Sequence, residues 1–135
     1  MLINKWLITC CLIIISCQSR QNNLPPAENA LDAGREFIEG CLKGDFDKAN
    51  FYLLQNQAND SIFNVLKQDY HTKSNATKQE LKNASITILA IEELSDKETI
   101  IRYSNSFSKE ARIIKVAKTD LYWKVDLSYS INGNL

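Results

Sequence analysis

The period at which apolar residues recur changes near residue 84, and no other feature of the chain constrains its fold as strongly. Within residues 27–54 apolar side chains recur at spacings of three, four and seven, which predicts amphipathic helices. After residue 84 the chain is rich in β-branched and aromatic residues, with short polar links between apolar segments. Links this short join antiparallel neighbours. Four strands are predicted, at residues 85–94, 98–107, 110–118 and 121–129. Helices followed by an antiparallel sheet predict an α+β fold.

The predicted helices have recognisable start and stop signals. Gly44 is placed to end the first helix, and Asp45 can cap a short second one. A third helix is predicted over residues 60–70 with Asp60 as its N-cap, and the polar residues that follow read as a loop. Thr77 and Glu80 have the spacing of a capping box, which predicts one further helical turn.

The N-terminal segment has the pattern of an export signal. Residues 1–5 carry one positive charge, and residues 6–15 are almost purely apolar, as in a secretory signal. A transmembrane helix needs about 20 apolar residues, so this segment is too short to span a bilayer. The junction Ile-Ile-Ser-Cys at residues 14–17 resembles the lipobox of bacterial lipoproteins. That resemblance implies cleavage after Ser16 and attachment of lipid to Cys17. Ordinary secretion, with Cys17 as a spare thiol, is the alternative.

This interpretation divides the chain into four parts. Residues 1–16 are the signal peptide, 17–26 a lipidated tether, 27–130 the folded domain and 131–135 a tail. No acidic run follows Cys17, which favours a periplasm-facing position in the bacterial cell envelope. Cys41 is then the one cysteine of the folded domain, so no internal disulfide is predicted, and its place on the apolar helical stripe predicts core packing.

A family resemblance supports the same order of elements. The helix pair AGREFIEGCLKGDFDKANFYL (33–53), with its KGDFDKA turn, resembles the opening of the nuclear-transport-factor-2-like, or cystatin-like cone, superfamily. The ending LYWKVDL (121–127) resembles its last strand. In particular, the chain is similar to small bacterial lipoproteins of unassigned function with that fold. The resemblance implies a curved, cone-like sheet around a long helix, with an apolar pocket at its open end.

Enzymes of that superfamily place an acid or base inside the cone, where an apolar environment tunes its pKa. Strand alternation predicts that Tyr103 and Asn105 point inward, whereas Asp126 faces solvent. Glu92 is in phase with the inward residues of its strand, near the strand end. The one histidine, His71, falls in the predicted loop. No catalytic residue, metal site, phosphate-binding glycine loop or cofactor is predicted.

Two hypotheses of function follow, and the sequence favours the first. It is a membrane-anchored, non-catalytic domain that binds a small apolar ligand or an envelope protein. The alternative is a cone-fold enzyme of the isomerase or cyclase type, using Glu92, Tyr103 and Asn105. The formal net charge of zero shows no basic excess, so no nucleic-acid partner is predicted. The candidate pocket residues, for which core packing is the alternative role, are Phe51, Tyr52, Tyr103, Asn105, Phe107 and Trp123.

Overall fold

The computed structural model describes residues 23–131, so Ser16 and Cys17 lie outside the described residues. The helices come first and the sheet second, which confirms the predicted α+β class. The four strands form one antiparallel sheet in the order β1-β2-β3-β4. In chain order the elements are α1 (Ala30–Lys43), α2 (Phe46–Tyr52), α3 (Gln57–Thr72), α4 (Asn75–Lys82), β1 (Ile86–Ser95), β2 (Glu98–Asn105), β3 (Arg112–Lys118), β4 (Trp123–Asp126) and α5 (Ser128–Ile131).

The corner between α1 and α2 forms where the sequence predicts it. Gly44 follows α1 in the left-handed conformation, with φ of 72°, and its amide donates to the Cys41 carbonyl. Glycine adopts this conformation without the steric cost of a Cβ. The Asp45 carboxylate then accepts a hydrogen bond from the Lys48 amide at 3.1 Å and caps α2.

The next two helices begin earlier than predicted. Asn56, and not Asp60, caps α3, and its side chain accepts from the Asn59 amide at 2.8 Å. The apolar periodicity did not predict this first turn of α3, because the buried residue of the turn, Asn59, is polar. Helix α3 also extends to Thr72, so His71 lies in its last turn and not in a loop. Ser74 caps α4 by accepting from the Thr77 amide at 3.1 Å.

Helix α1 packs on one face of the sheet, which we call the inner face. Its residues Ala33, Phe37 and Ile38 are buried in the core. Burial of the Phe37 and Ile38 side chains contributes roughly 1.5–3 kcal/mol each to the free energy of folding. Four inner-face strand residues complete this contact: Ile101, Ile114, Val116 and Val125.

An irregularity in β1 reverses one predicted orientation. Ile88 pairs with Tyr103 on the inner face, but the register shifts by one residue before Ala90 pairs with Arg102. The extra residue exchanges the two faces of the strand beyond it. Glu92 therefore pairs with Ile100 on the outer face, and the prediction that it points inward is wrong.

The last strand is shorter than predicted, and Asp126 is less exposed. Only Trp123–Asp126 forms β4, and α5 follows directly. The Asp126 side chain accepts from the amide and hydroxyl of Ser128 at 3.1 and 2.6 Å, and lies 3.3 Å from the Lys115 ammonium. The residue is only 9% exposed, so the prediction of a solvated Asp126 is wrong. Burial alone would raise the pKa of this carboxyl, but these hydrogen bonds outweigh it and lower the pKa.

Asn59 explains why β4 ends where it does. Its side chain is fully buried, and its Oδ1 accepts from the amides of Leu127 and Ser128 at 2.9 and 3.1 Å. Its Nδ2 donates to the Leu54 carbonyl at 2.9 Å. The Leu54 amide in turn donates to the Val125 carbonyl at 2.8 Å. One amide side chain therefore joins α3, the segment after α2 and the end of the sheet.

Replacement of this amide by an apolar side chain should destabilise the fold. In Asn59→Leu the Leu54 carbonyl and the Leu127 amide lose their bonds to Asn59, and the Ser128 amide keeps only its bond to Asp126. We expect the free energy of unfolding to fall by about 2–4 kcal/mol. Urea unfolding followed by circular dichroism measures the change. The control Asn64→Leu replaces an exposed residue of the same helix and should change stability by less than about 0.5 kcal/mol. Equal effects of the two substitutions would contradict the structural role of Asn59.

Candidate functional site

A pocket of about 180 Å³ lies between the helices and the turn that joins β2 to β3. Helices α1 to α4 all contribute to its wall, and the β2–β3 turn closes one side. Most of the lining side chains are apolar or aromatic. They are Ile38, Cys41, Leu42, Phe46, Leu66, Tyr70, Leu81 and Phe107.

Edge-to-face aromatic contacts hold the helical wall of this pocket together. The Phe46 ring centre lies 5.3 Å from that of Tyr70 and 5.8 Å from that of Phe63, with both ring pairs near perpendicular. Such pairs are favourable beyond the area they bury. Phe46 comes directly after the α1–α2 corner, so the corner sets the position of the wall.

The β2–β3 turn is held in shape by Asn105 at the end of β2. The Asn105 side-chain oxygen accepts from the amides of Phe107 and Ser108 at 3.0 and 2.9 Å. The Asn105 carbonyl accepts from the Lys109 amide, and Lys109 has a φ of 59°. Asparagine commonly bonds to backbone amides two or three residues ahead in this way. The turn therefore presents Phe107, which is 40% exposed, at the edge of the pocket.

Ser108 brings a polar group to the pocket wall. Its hydroxyl oxygen is buried, and within residues 23–131 it has no hydrogen-bond partner. Buried polar groups are almost always hydrogen-bonded, because an unsatisfied one costs roughly 1–3 kcal/mol. Of the described side chains, this hydroxyl is the one buried group that lacks a partner.

Three charged residues line the pocket, and two of them neutralise each other. The Lys73 ammonium lies 2.7 Å from the Asp69 carboxylate, one helical turn away. The Arg112 guanidinium lies 3.7 Å from the exposed Glu110 carboxylate, a longer and weaker contact. Glu110 does not line the pocket, so Arg112 is the one charged lining residue whose carboxylate partner among the described residues lies outside it.

Burial raises the pKa values of two further side chains, Cys41 in the pocket wall and Tyr103 against the core. Burial raises the pKa of the Cys41 thiol to about 12, far above pH 7. Burial also raises the pKa of Tyr103 to about 12, although the Arg112 charge opposes this effect. Neither group is suited to exchange protons at neutral pH.

The pocket contains two of the six candidate residues. Asn105 and Phe107 line it, whereas Tyr103 packs against the core. Tyr52 is also buried in the core, and its hydroxyl donates to the Pro25 carbonyl at 2.8 Å. Phe51 lies against Tyr52, with ring centres 4.9 Å apart. Trp123 packs on the core from the last strand.

The residues of the alternative enzyme hypothesis do not converge. Asn105 and Tyr103 lie on the inner face, but Glu92 is exposed on the outer face. Asn105 uses its side-chain oxygen for the two turn amides. The candidate pocket residues also omitted Leu66, Tyr70 and Leu81. Leu66 and Tyr70 lie on the apolar stripe of the helix predicted over residues 60–70, but that stripe indicated core packing and not a pocket. Arg112 and Ser108 carried no such signal.

Two kinds of site are absent from the described part of the chain. Residues 23–131 contain no group of three or more His, Cys, Asp or Glu side chains placed to hold a metal ion. None of the helices in that range combines the length and the apolar character needed to cross a bilayer.

Comparison with known proteins found no matching family model, no matching curated protein and no matching solved structure.

The reactivity of the Cys41 thiol tests directly whether this part of the pocket wall is buried. Because the thiolate is the reactive form, a pKa of about 12 should make labelling at pH 8 about a thousandfold slower than for an ordinary cysteine. Labelling by a maleimide, read by intact mass, measures the rate. The same protein unfolded in guanidinium chloride is the control and should label at the ordinary rate. Rapid labelling of the folded protein would contradict burial of this thiol.

Proposed function

We propose that this chain is a lipid-anchored envelope domain that binds a small, mainly apolar ligand with one anionic end. The observation that carries the proposal is the pocket of about 180 Å³ between α1, α3, α4 and the β2–β3 turn. Its walls are mainly apolar, and its polar side chains come from the end of α3 and from the region of the β2–β3 turn. Binding pockets generally combine an apolar lining with a few polar groups that orient the ligand.

The volume limits the size of the ligand. An apolar cavity of about 150 Å³ holds a benzene molecule, so this pocket suits one ring or a short acyl chain of roughly six to eight carbons. A lipid with full-length acyl chains would extend far beyond these walls. The apolar body of the ligand would contact Leu42, Leu66 and Leu81, which come from three different helices.

The polar end of the pocket favours an anionic head group. Arg112 has a weak contact with an exposed carboxylate, so its guanidinium can exchange that contact for a ligand carboxylate. A nearby acceptor would also give the Ser108 hydroxyl the partner that it lacks among the described residues. A carboxylate that reached both side chains would provide both interactions with one group.

Binding is proposed in preference to catalysis because of the chemistry of the lining groups. Burial raises the pKa of the Cys41 thiol to about 12, and the Asp69 carboxylate is paired with Lys73. The amide of Asn105 is committed to the backbone of the turn. These groups can shape and orient a ligand without exchanging protons with it.

The anchor is the second part of the proposal and rests on the sequence. The lipobox-like junction at residues 14–17 provides Cys17 for lipidation. More than one acyl chain is needed for stable membrane attachment, and lipoproteins of the resembled class carry two or three. A ligand-binding domain held in this way would work at the membrane surface, facing the periplasm.

Calorimetric titration with hexanoate, octanoate and the matching alcohols tests whether the pocket binds short acyl chains and prefers an anionic end. We expect one molecule to bind per chain, and Arg112→Gln should weaken carboxylate binding about tenfold, because it removes a charge-assisted hydrogen bond. The same substitution should change alcohol binding by less than about twofold. Ser108→Ala should weaken carboxylate binding to a smaller extent.

A bulky substitution in the pocket wall tests where the ligand binds. Leu66→Trp should fill the pocket and abolish binding, whereas Val65→Trp places the same indole ring at an exposed position of the same helix and should leave binding unchanged. Thermal unfolding of both variants verifies that they fold. Failure of every carboxylate and alcohol to bind, or full binding by a folded Leu66→Trp variant, would refute the proposed function.

A further inference from the structure

An exposed apolar turn lies at the end of the sheet where β3 joins β4. The turn is closed by hydrogen bonds between Thr119 and Tyr122, from the Thr119 amide and hydroxyl to the Tyr122 carbonyl at 2.8 and 2.9 Å. Leu121 lies within it and is 76% exposed, and Tyr122 is 42% exposed. Tight turns normally carry Gly, Asn, Asp or Ser at such positions. Leu121 stabilises neither the turn nor the core.

Lysines and a further aromatic ring surround this turn. The Lys124 ammonium lies 4.4 Å from the Phe51 ring centre and 5.6 Å from the Tyr122 ring centre. It also donates a hydrogen bond to the Phe51 carbonyl. The Lys118 ammonium lies 5.5 Å from the ring centre of Trp123. We call these residues the turn surface, defined as Phe51, Lys118, Leu121, Tyr122 and Lys124.

The chain enters the folded domain beside the turn surface. The Tyr52 hydroxyl donates to the Pro25 carbonyl at 2.8 Å, which fixes the start of the described chain against α2. Phe51, the residue before Tyr52, belongs to the turn surface and contacts the Tyr52 ring. Only six peptide units separate Cys17 from Asn23, and they can reach at most about 20–22 Å. A lipid on Cys17 would therefore hold this end of the domain close to the bilayer.

We propose that the turn surface contacts the lipid bilayer when Cys17 is lipidated. This inference depends on the lipid anchor of the proposed function. Leu121 and Tyr122 enter the boundary between headgroups and acyl chains, where apolar and aromatic side chains are favoured. Lys118 and Lys124 lie at headgroup height, where anionic lipid attracts them. Asp120, in the same turn, opposes this attraction, and Lys97 and Asp96 of the neighbouring β1–β2 turn balance each other. The contact also fixes the orientation of the domain on the membrane.

Depth-dependent quenching in vesicles tests the contact. The processed, lipidated chain is reconstituted in vesicles of phosphatidylethanolamine and phosphatidylglycerol, with a fluorescent label on Leu121→Cys. The control carries the label on Val65→Cys, an exposed apolar site of α3 that is 64% exposed and lies outside the turn surface. Acyl-chain-brominated lipid should quench the label at residue 121 at least twofold more strongly than the label at residue 65. Lys118→Glu in the Leu121→Cys chain should reduce that difference.

The outcomes separate the contact from the anchor. Equal quenching at the two sites, with the protein still floating with vesicles, would overturn the contact and leave the anchor intact. Protein that does not float with vesicles would overturn both, while calorimetric titration would still measure ligand binding. Protection of residue 121 in native envelopes but not in pure lipid would also overturn the proposal, because a protein would then cover the turn surface.

Discussion

The corner between α1 and α2 is the constraint on which the rest of the structure depends. A Cβ on Gly40 would lie 2.9 Å from the Ala49 nitrogen and 2.9 Å from the Asp45 carbonyl oxygen, which are backbone atoms that cannot yield. A Cβ on Gly44 would lie 2.6 Å from the Tyr70 ring, in addition to the strain of a positive φ. The two glycines therefore allow α2 to lie on α1 and Tyr70 to lie on the corner.

This close packing determines the pocket. Cys41 and Leu42 precede the corner, Phe46 follows it, and Tyr70 covers it, so four wall residues have positions that the corner sets. The opposite wall is the β2–β3 turn, which is held by the hydrogen bonds of Asn105. Since packed helices form most of the lining, the pocket can exist before a ligand binds. Preformed walls reduce the ordering cost of binding.

The features that the sequence predicted well are those determined by local chemistry. The stop at Gly44, the cap at Asp45 and the change from helical to strand period each depend on a few neighbouring residues, and all three are present in the structure. The orientation of Glu92 depended on a bulge that no local residue type announces. The burial of Asp126 depended on Lys115 and Ser128, and the former belongs to a different strand. The pocket joins α3 and α4 to the β2–β3 turn, and this long-range contact leaves no periodic signal.

The central claim is that the pocket holds a ligand with its polar end towards Arg112 and Ser108. A crystal structure of the protein purified from its native source tests this claim most directly. We expect electron density for one compact molecule between Leu66 and Phe107, with an oxygen atom within hydrogen-bonding distance of the Arg112 guanidinium. A structure in which Phe107, Tyr70 and Leu42 close together and fill the pocket would contradict it.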